Sequence, residues 1–510
     1  MTKEDLKKAI LDTEDEWIEE ALPKGFGKTR KVRSRWFRPA LAAAACVLIA
    51  VLGLLLLPRR PDPNTERATD KSILEQLIEN ITPVAHAFAL AEAEYPDSAI
   101  DSSLYPRTWK EMTEKYAEIE AKYMEAHQRD QQEFAQVRGN GESLKPFLQQ
   151  AIRLSLENAD GKNALSAPLN LYFGLAMLAE STAGETRQEI LDAIGAGSLE
   201  ALREQAGKVW RANYYDDGNV KSILGSSLWL SDSLSYNKNT VKQISESYYA
   251  SVFRGEMGTE EYNEVLRQWI NAQTGSLLEE LTAQLSMVPQ TVLELVSTVY
   301  FQDRWDAEFS KENNRDGIFH GAAQETAVTF MNQTDWYGVY YYGEHFGAYA
   351  KRMRSSDAVM YFILPDEGVS MEELLTDEDL QAFLTSDKAV PNVTIKVNFS
   401  LPKFDIMMDQ DLSNAVKALG IQKVFDPQLA DFSSVTGKAD AAAWLSEVRQ
   451  GARIMVDEEG VKAAAYLRIV APGAPMPPEE EIDFVLDRPF LFVLRSRDDL
   501  PLLAGIVNQP

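Results

Sequence analysis

The chain has 510 residues, 51 of them basic and 78 acidic, for a formal net charge of −27. An excess of carboxylates on this scale excludes a nucleic-acid partner, which needs a basic surface to displace counterions from phosphates. A single cysteine, Cys46, excludes an intramolecular disulfide framework and any CxxC metal site. His86, His127, His320 and His345 form no HExxH or His-x-His pair, so neither a catalytic metal nor a cofactor is expected.

Residues 2–23, TKEDLKKAILDTEDEWIEEALP, read as a short acidic amphipathic helix ended by Pro23. The string GFGKT at 25–29 has Leu22 where a phosphate-binding loop needs its first glycine, and no strand precedes it. Residues 40–57, ALAAAACVLIAVLGLLLL, carry no charged or strongly polar group and lie between Pro39 and Pro58. As a helix the run covers roughly 27 Å, near the thickness of a bilayer's hydrocarbon core, so 39–58 is expected to span a membrane. Lys24, Lys28, Arg30, Lys31, Arg33, Arg35 and Arg38 crowd its N-terminal side, against Arg59 and Arg60 beyond it. This bias places 1–38 in the cytoplasm and the bulk of the chain outside the cell, in a single-pass arrangement.

Residues 59–141 are charged and poor in β-branched side chains, and 106–138 carry Trp109, Met112, Tyr116, Ile119 and Tyr123 at helical spacing. A helical stalk is expected there. From 142 to 510 the texture changes. Strand-like stretches at 222–230, 358–365, 393–404 and 490–496 alternate with helical ones at 171–180 and 412–420. No internal repeat and no Pro- or Gly-rich linker divides them, so one large α+β domain is expected.

Four stretches of that domain, in order, resemble the serpin family. They are NALSAPLNLYFGLAMLAESTAGETRQEIL (163–191), STVYFQDRWDAEF (297–309), SLPKFDIMMDQDLSNAVKALGIQKVFDPQLADFSSVTG (400–437), and VDEEGVKAAAYLRIV (456–470) followed by DRPFLFVLRSRDDLPLLAGIVNQP (487–510). The resemblance implies a large, mostly antiparallel central sheet, surrounding helices and an exposed reactive loop. It implies a monomeric inhibitor of serine-type proteases, not an enzyme. A protease cuts the loop and is held as an acyl-enzyme, while the N-terminal half of the loop enters the central sheet as a new strand. The same resemblance assigns Glu458, Gly460, Val461, Ala463, Ala464, Ala465 and Leu467 to the hinge and inserting strand. Lys403, Trp305, Asn170, Ser297 and Gln450 fall at positions governing sheet opening. Glu458 would pair with Lys403, and as a surface pair this would be worth under about 1 kcal/mol. Ser297 and Gln450 stand where the family usually has Asn and His.

The residues themselves support insertion. Val461, Ala463, Ala465, Leu467 and Ile469 are apolar, whereas Lys462, Tyr466 and Arg468 alternate with them, giving the period of two that suits a strand with one buried face. The family's spacing puts the cut at Ala474–Pro475. A proline after the bond hinders cleavage, so Gly473–Ala474 is an alternative, as is Val470–Ala471. The small residues nearby point to an elastase- or subtilisin-like target. A hydrolase is disfavoured by the lack of a Gly-x-Ser-x-Gly elbow. The rival reading is a non-inhibitory serpin acting as a surface binding or signalling protein. An uncleaved anchor on a chain with a single cysteine fits a bacterial cell surface.

Overall fold

Two β-sheets organise the structure, a computed structural model that describes residues 87–96, 109–157, 159–216, 220–289, 291–438, 443–461 and 480–510, with backbone alone for 109–120, 123 and 126. The described residues belong to one unit, Lys71–Pro510. Segment 1–38, the expected span at 39–58, and Ala463, Ala464, Ala465, Leu467, Gly473, Ala474 and Pro475 lie outside the described residues. Among the described residues no helix is long and apolar enough to cross a membrane.

The central sheet has eight strands. Its path runs β1 (Ala89–Ala91), β5 (Ala250–Gly255), β4 (Lys221–Ser231), β6 (Leu293–Arg304), β14 (Gly460–Val461), β13 (Arg449–Val456) and β12 (Phe404–Asp411), with β3 (Tyr215–Asp216) beside β4. All pairings are antiparallel except β4–β5. That parallel pair is joined through helix Lys238–Tyr248, the crossover a parallel connection requires. The second sheet runs β15 (Glu481–Val485), β11 (Asn392–Pro402), β8 (Glu325–Tyr342), β9 (Phe346–Arg352), β10 (Val359–Pro365), β16 (Phe490–Arg495), β17 (Pro501–Val507) and β2 (Ala164–Ser166), with β7 (Arg315–His320) on β8.

Helices pack around these sheets: α1 (Trp109–Val137), α2 (Lys145–Leu156), α3 (Pro168–Ser181), α4 (Gly184–Ala193), α5 (Leu199–Asn213), α6 (Lys238–Tyr248) and α7 (Glu260–Gln273). α3 starts with Pro168 at its first turn, where a missing N–H costs nothing. It is buried all round from Leu169 to Ser181 apart from Gly174. A helix without a polar face belongs in the core, and α3 runs between the central sheet and its neighbours. Its one charge, Glu180, is 2% exposed and takes two hydrogen bonds from Arg203 of α5, at 2.6 and 2.7 Å. Tyr248 Oη donates a third at 3.2 Å.

The expected helix over 106–138 matches α1. Residues 87–96 depart from the expected stalk. Ala89 and Ala91 pair with Phe253 and Val252 on the edge of the central sheet, which makes this segment part of the body. Its alternation of packed and exposed positions, in the run AFALAEAEY, suits an edge strand with outward glutamates.

Replacing Arg203 by Ala strips the buried Glu180 of its bidentate partner. The variant is expected to lose about 3–5 kcal/mol of stability, read as a lower denaturant midpoint in urea titration.

Candidate functional site: the hinge and the slot in the central sheet

The strand β13 ends at Val456, and the chain reverses over Asp457-Glu458-Glu459. Asp457 shapes this turn, its Oδ1 accepting from the backbone N–H of Glu459 (2.8 Å) and Gly460 (3.2 Å). The backbone is then pinned from below by Trp305, whose N–H donates to the Glu459 carbonyl (3.0 Å) and whose Nε1 donates to the Asp457 carbonyl (2.9 Å). Phe309 N–H donates to the Glu458 carbonyl at 3.0 Å. Trp305 is fully buried, packed edge-on against Phe309 and tilted against Phe362. The Lys351 ammonium lies 5.3 Å from the Trp305 ring and 4.4 Å from the Phe309 ring. It donates to Ala307 O and Gln333 Oε1, and burial pushes its pKa down to about 7 against the pull of Asp335 and Asp306.

Glu458 points inward. Its carboxylate is buried and meets Lys403 Nζ at 2.5 Å and Asn314 Nδ2 at 2.6 Å. Burial would raise its pKa, but the hydrogen bonds from Lys403 and Asn314 prevail and hold it below the usual carboxylate range. The expected partner is therefore present, but the expected surface pair is not. Glu458 is about 4% exposed, so loss of Lys403 leaves a desolvated carboxylate on one amide. Asn314 lies in the turn before β7 and carried no signal in the sequence.

Beyond the turn, Gly460 and Val461 enter the sheet. Gly460 faces Arg304 and Val461 faces Asp303 on β6, while Val461 also faces Val456 on β13, antiparallel on both sides. A Cβ at Gly460 would collide with the Asp303 carbonyl and come within 2.6 Å of Arg304 Cα. Glycine is thus required for the chain to pass this close to β6. Val461 is buried in the main core. Among the described residues β6 and β13 pair with each other nowhere, and β14 alone joins them.

The mid-sheet residues are distributed differently from a simple cross-strand pair. Gln450 does not bond Ser297. It clamps the residue before α3, accepting from Ala167 N–H (2.9 Å) and donating to Ala167 O (3.1 Å). Ser297 stands opposite Ser226 on β4. Asn170 is buried in α3, and its Oδ1 has no hydrogen-bond partner among the described residues, as is true of Ser226 Oγ and Thr298 Oγ1. Lower on β6, burial pushes the Glu294 carboxyl up to about 7. Glu447 adds to the effect and Arg449 opposes it.

A buried polar hinge that leads the chain in between β6 and β13 agrees with the family comparison. A family model described as "Serpin (serine protease inhibitor)" matches residues 144–510. The chain belongs to the serpin family. Among similar relatives are alpha-1-antiproteinase of Rattus norvegicus, 24% identical over 72% of this chain and 88% of its own length, and Serpin-ZX of Arabidopsis thaliana, 26% identical over 69% and 93%. Similar solved structures include the thermophilic serpin tengpin in its native state, with a TM-score of 0.62 and 24% identity over 72% of this chain and 94% of that one. Thyroxine-binding globulin in complex with thyroxine matches with a TM-score of 0.61 at 20% identity, over 72% and 99%. These likenesses show the serpin fold, with mixed sheets and surrounding helices. The family is one of protease inhibitors rather than enzymes.

Two consequences can be measured. Lys403→Met should cost about 1–3 kcal/mol of stability by leaving Glu458 buried on Asn314 alone, seen as a lower urea midpoint. Glu294 has a native pKa near 7 against 4.5 unfolded, so its stabilising protonation is complete below pH 4.5 and lost as pH rises through 7. Glu294→Gln should therefore be more stable than the parent by about 1–3 kcal/mol at pH 8, with no gain at pH 4.5. Urea titrations at the two pH values check this.

Proposed function

We propose that this serpin is a suicide-substrate inhibitor of a serine protease, working by cleavage of its reactive loop and insertion of the loop into the central sheet. The observation that carries the reading is β14: the first two residues after the hinge already run antiparallel between β6 and β13. Continued in that register, insertion would bring Ala463, Ala465 and Leu467 to the core face beside Phe301, Val299 and Ser297. It would bring Tyr466 opposite Gly451 and Arg468 diagonally within reach of Glu294. Small residues at 463–465 ease entry, because the strands must part before bulk can pass. Strain held in the uncleaved fold and released by insertion supplies the drive in this reading.

The reactive bond is proposed at Ala474–Pro475 or Gly473–Ala474, with an elastase- or subtilisin-like target supported by the small residues around it. Residues 40–57 are proposed to anchor a monomeric inhibitor to a cell membrane, its N-terminus cytoplasmic and its serpin domain outside. The apolar run and the basic cluster before it support this placement, and a bacterial surface fits it.

The test is to incubate the protein with elastase- and subtilisin-type proteases and resolve the products on a denaturing gel. A complex that survives denaturant is expected. Cleavage without any complex across a broad panel would sink the inhibitory reading and leave a non-inhibitory binding serpin. In the same assay Val461→Arg, which forces a charge into the core face of the incoming strand, should shift the outcome from complex to cleaved protein by about tenfold or more.

A further inference from the structure

The outer face of the central sheet is covered by α7. Tyr262, Val265, Leu266, Trp269 and Ile270 of this helix pack on Trp229 of β4 and Phe253 of β5. The helix ends at Gln273, whose side chain lies directly over Gly225 of β4. The chain then crosses toward β13. The Leu277 carbonyl accepts from Arg453 Nη1 at 3.3 Å, and Leu278 and Leu281 lie over Gly451. The α7 unit therefore straddles the slot between β6 and β13, resting on β4 and β5 at one side and touching β13 at the other. A strand that enters the slot has to pass beneath this bridge.

Residues 88–95 hold the bridge at both ends of α7. Phe88 packs its ring 5.3 Å from that of Tyr262 in the first turn. Tyr95 Oη donates to Gln273 Oε1 in the last turn, at 3.1 Å. Between them, Ala89 and Ala91 pair with β5, and Ala93 N–H donates to Ser251 Oγ at 3.1 Å. Ser245 Oγ of α6 donates to the Glu92 carbonyl at 3.2 Å. The Tyr95 ring is anchored by Trp210 and Tyr214, with centroids at 5.1 and 5.6 Å. The segment thus joins α5, α6, β5 and both ends of α7.

We propose that residues 88–95 form a clasp that pins α7 to the sheet and sets the barrier to strand entry. This rests on the insertion reading above and adds a control to it. With both ends of α7 tied to the outer strands, the bridge lifts only when the contacts of Phe88 or Tyr95 break. The clasp keeps the slot closed to premature filling without touching the slot itself.

The test uses the full chain and a synthetic peptide of residues 460–470 as a surrogate strand, so that no protease is needed. The readout is the rate at which a heat-resistant protein–peptide complex appears. Phe88→Ala and Tyr95→Ala should take up the peptide about tenfold faster than the parent. Tyr95→Phe, which keeps the ring and removes the bond to Gln273, should be faster by about two- to fivefold, and it serves if Tyr95→Ala fails to fold. Phe383→Ala, a core truncation in the separate cluster under the second sheet, should lower stability without changing the rate. If the parent takes up the peptide and all three clasp variants do so at its rate, the clasp is overturned while insertion stands. If neither parent nor variants take it up, insertion fails and the clasp with it.

Discussion

Among the described residues, two neighbouring strands of the central sheet, β6 and β13, are joined only through Gly460 and Val461. Backbone N–H and C=O groups along facing strands demand partners, and a sheet with an unjoined seam is a template for another strand. The rest of the hinge serves to keep the first two residues of such a strand in place. Asp457 turns the chain, Trp305 holds the turn from beneath, and Glu458 is drawn inward by Lys403 and Asn314. The charge, the indole and the glycine act on one short segment because that segment must leave β13, reverse, and run beside β6 within a few ångströms.

Buried polar groups are partnered to different degrees. Glu180 is satisfied by Arg203 and Tyr248, and Gln450 uses both ends of its amide on Ala167. Around the middle of the sheet, Ser226, Thr298 and Asn170 each leave a buried oxygen unpartnered among the described residues. Buried oxygens without partners each carry a cost. Over the same seam lies the α7 unit, packed by aromatic rings on β4 and β5, which covers the seam on its outer face.

Much of the fold was legible because its signals are local. The strands at 222–230, 358–365 and 490–496 stand out by their apolar runs, and α3 by its length without a polar face. The pairing of Glu458 with Lys403 followed from family resemblance, but its burial did not. Burial here is made by Asn314, 144 residues away from Glu458, and by the turn folded onto Trp305. Residues 87–96 read as a spacer because alanines and glutamates carry no strong strand propensity. Only the edge of β5 turns them into a strand.

Composition and local pattern were enough to argue against a nucleic-acid partner, to exclude an intramolecular disulfide framework and a CxxC metal site, and to fix a strand-like alternation after Gly460. Those conclusions need only residue identity and period. Which residues share the hinge was decided by the tertiary structure, since Trp305 and Asn314, Lys403 and Glu458 come from three separate parts of the chain. The same holds for Gln450, whose amide serves α3 rather than the neighbouring strand, and for Tyr95, whose hydroxyl finds Gln273. Each of these contacts depends on where two sheets and a helix cross, and no spacing along the chain encodes that crossing.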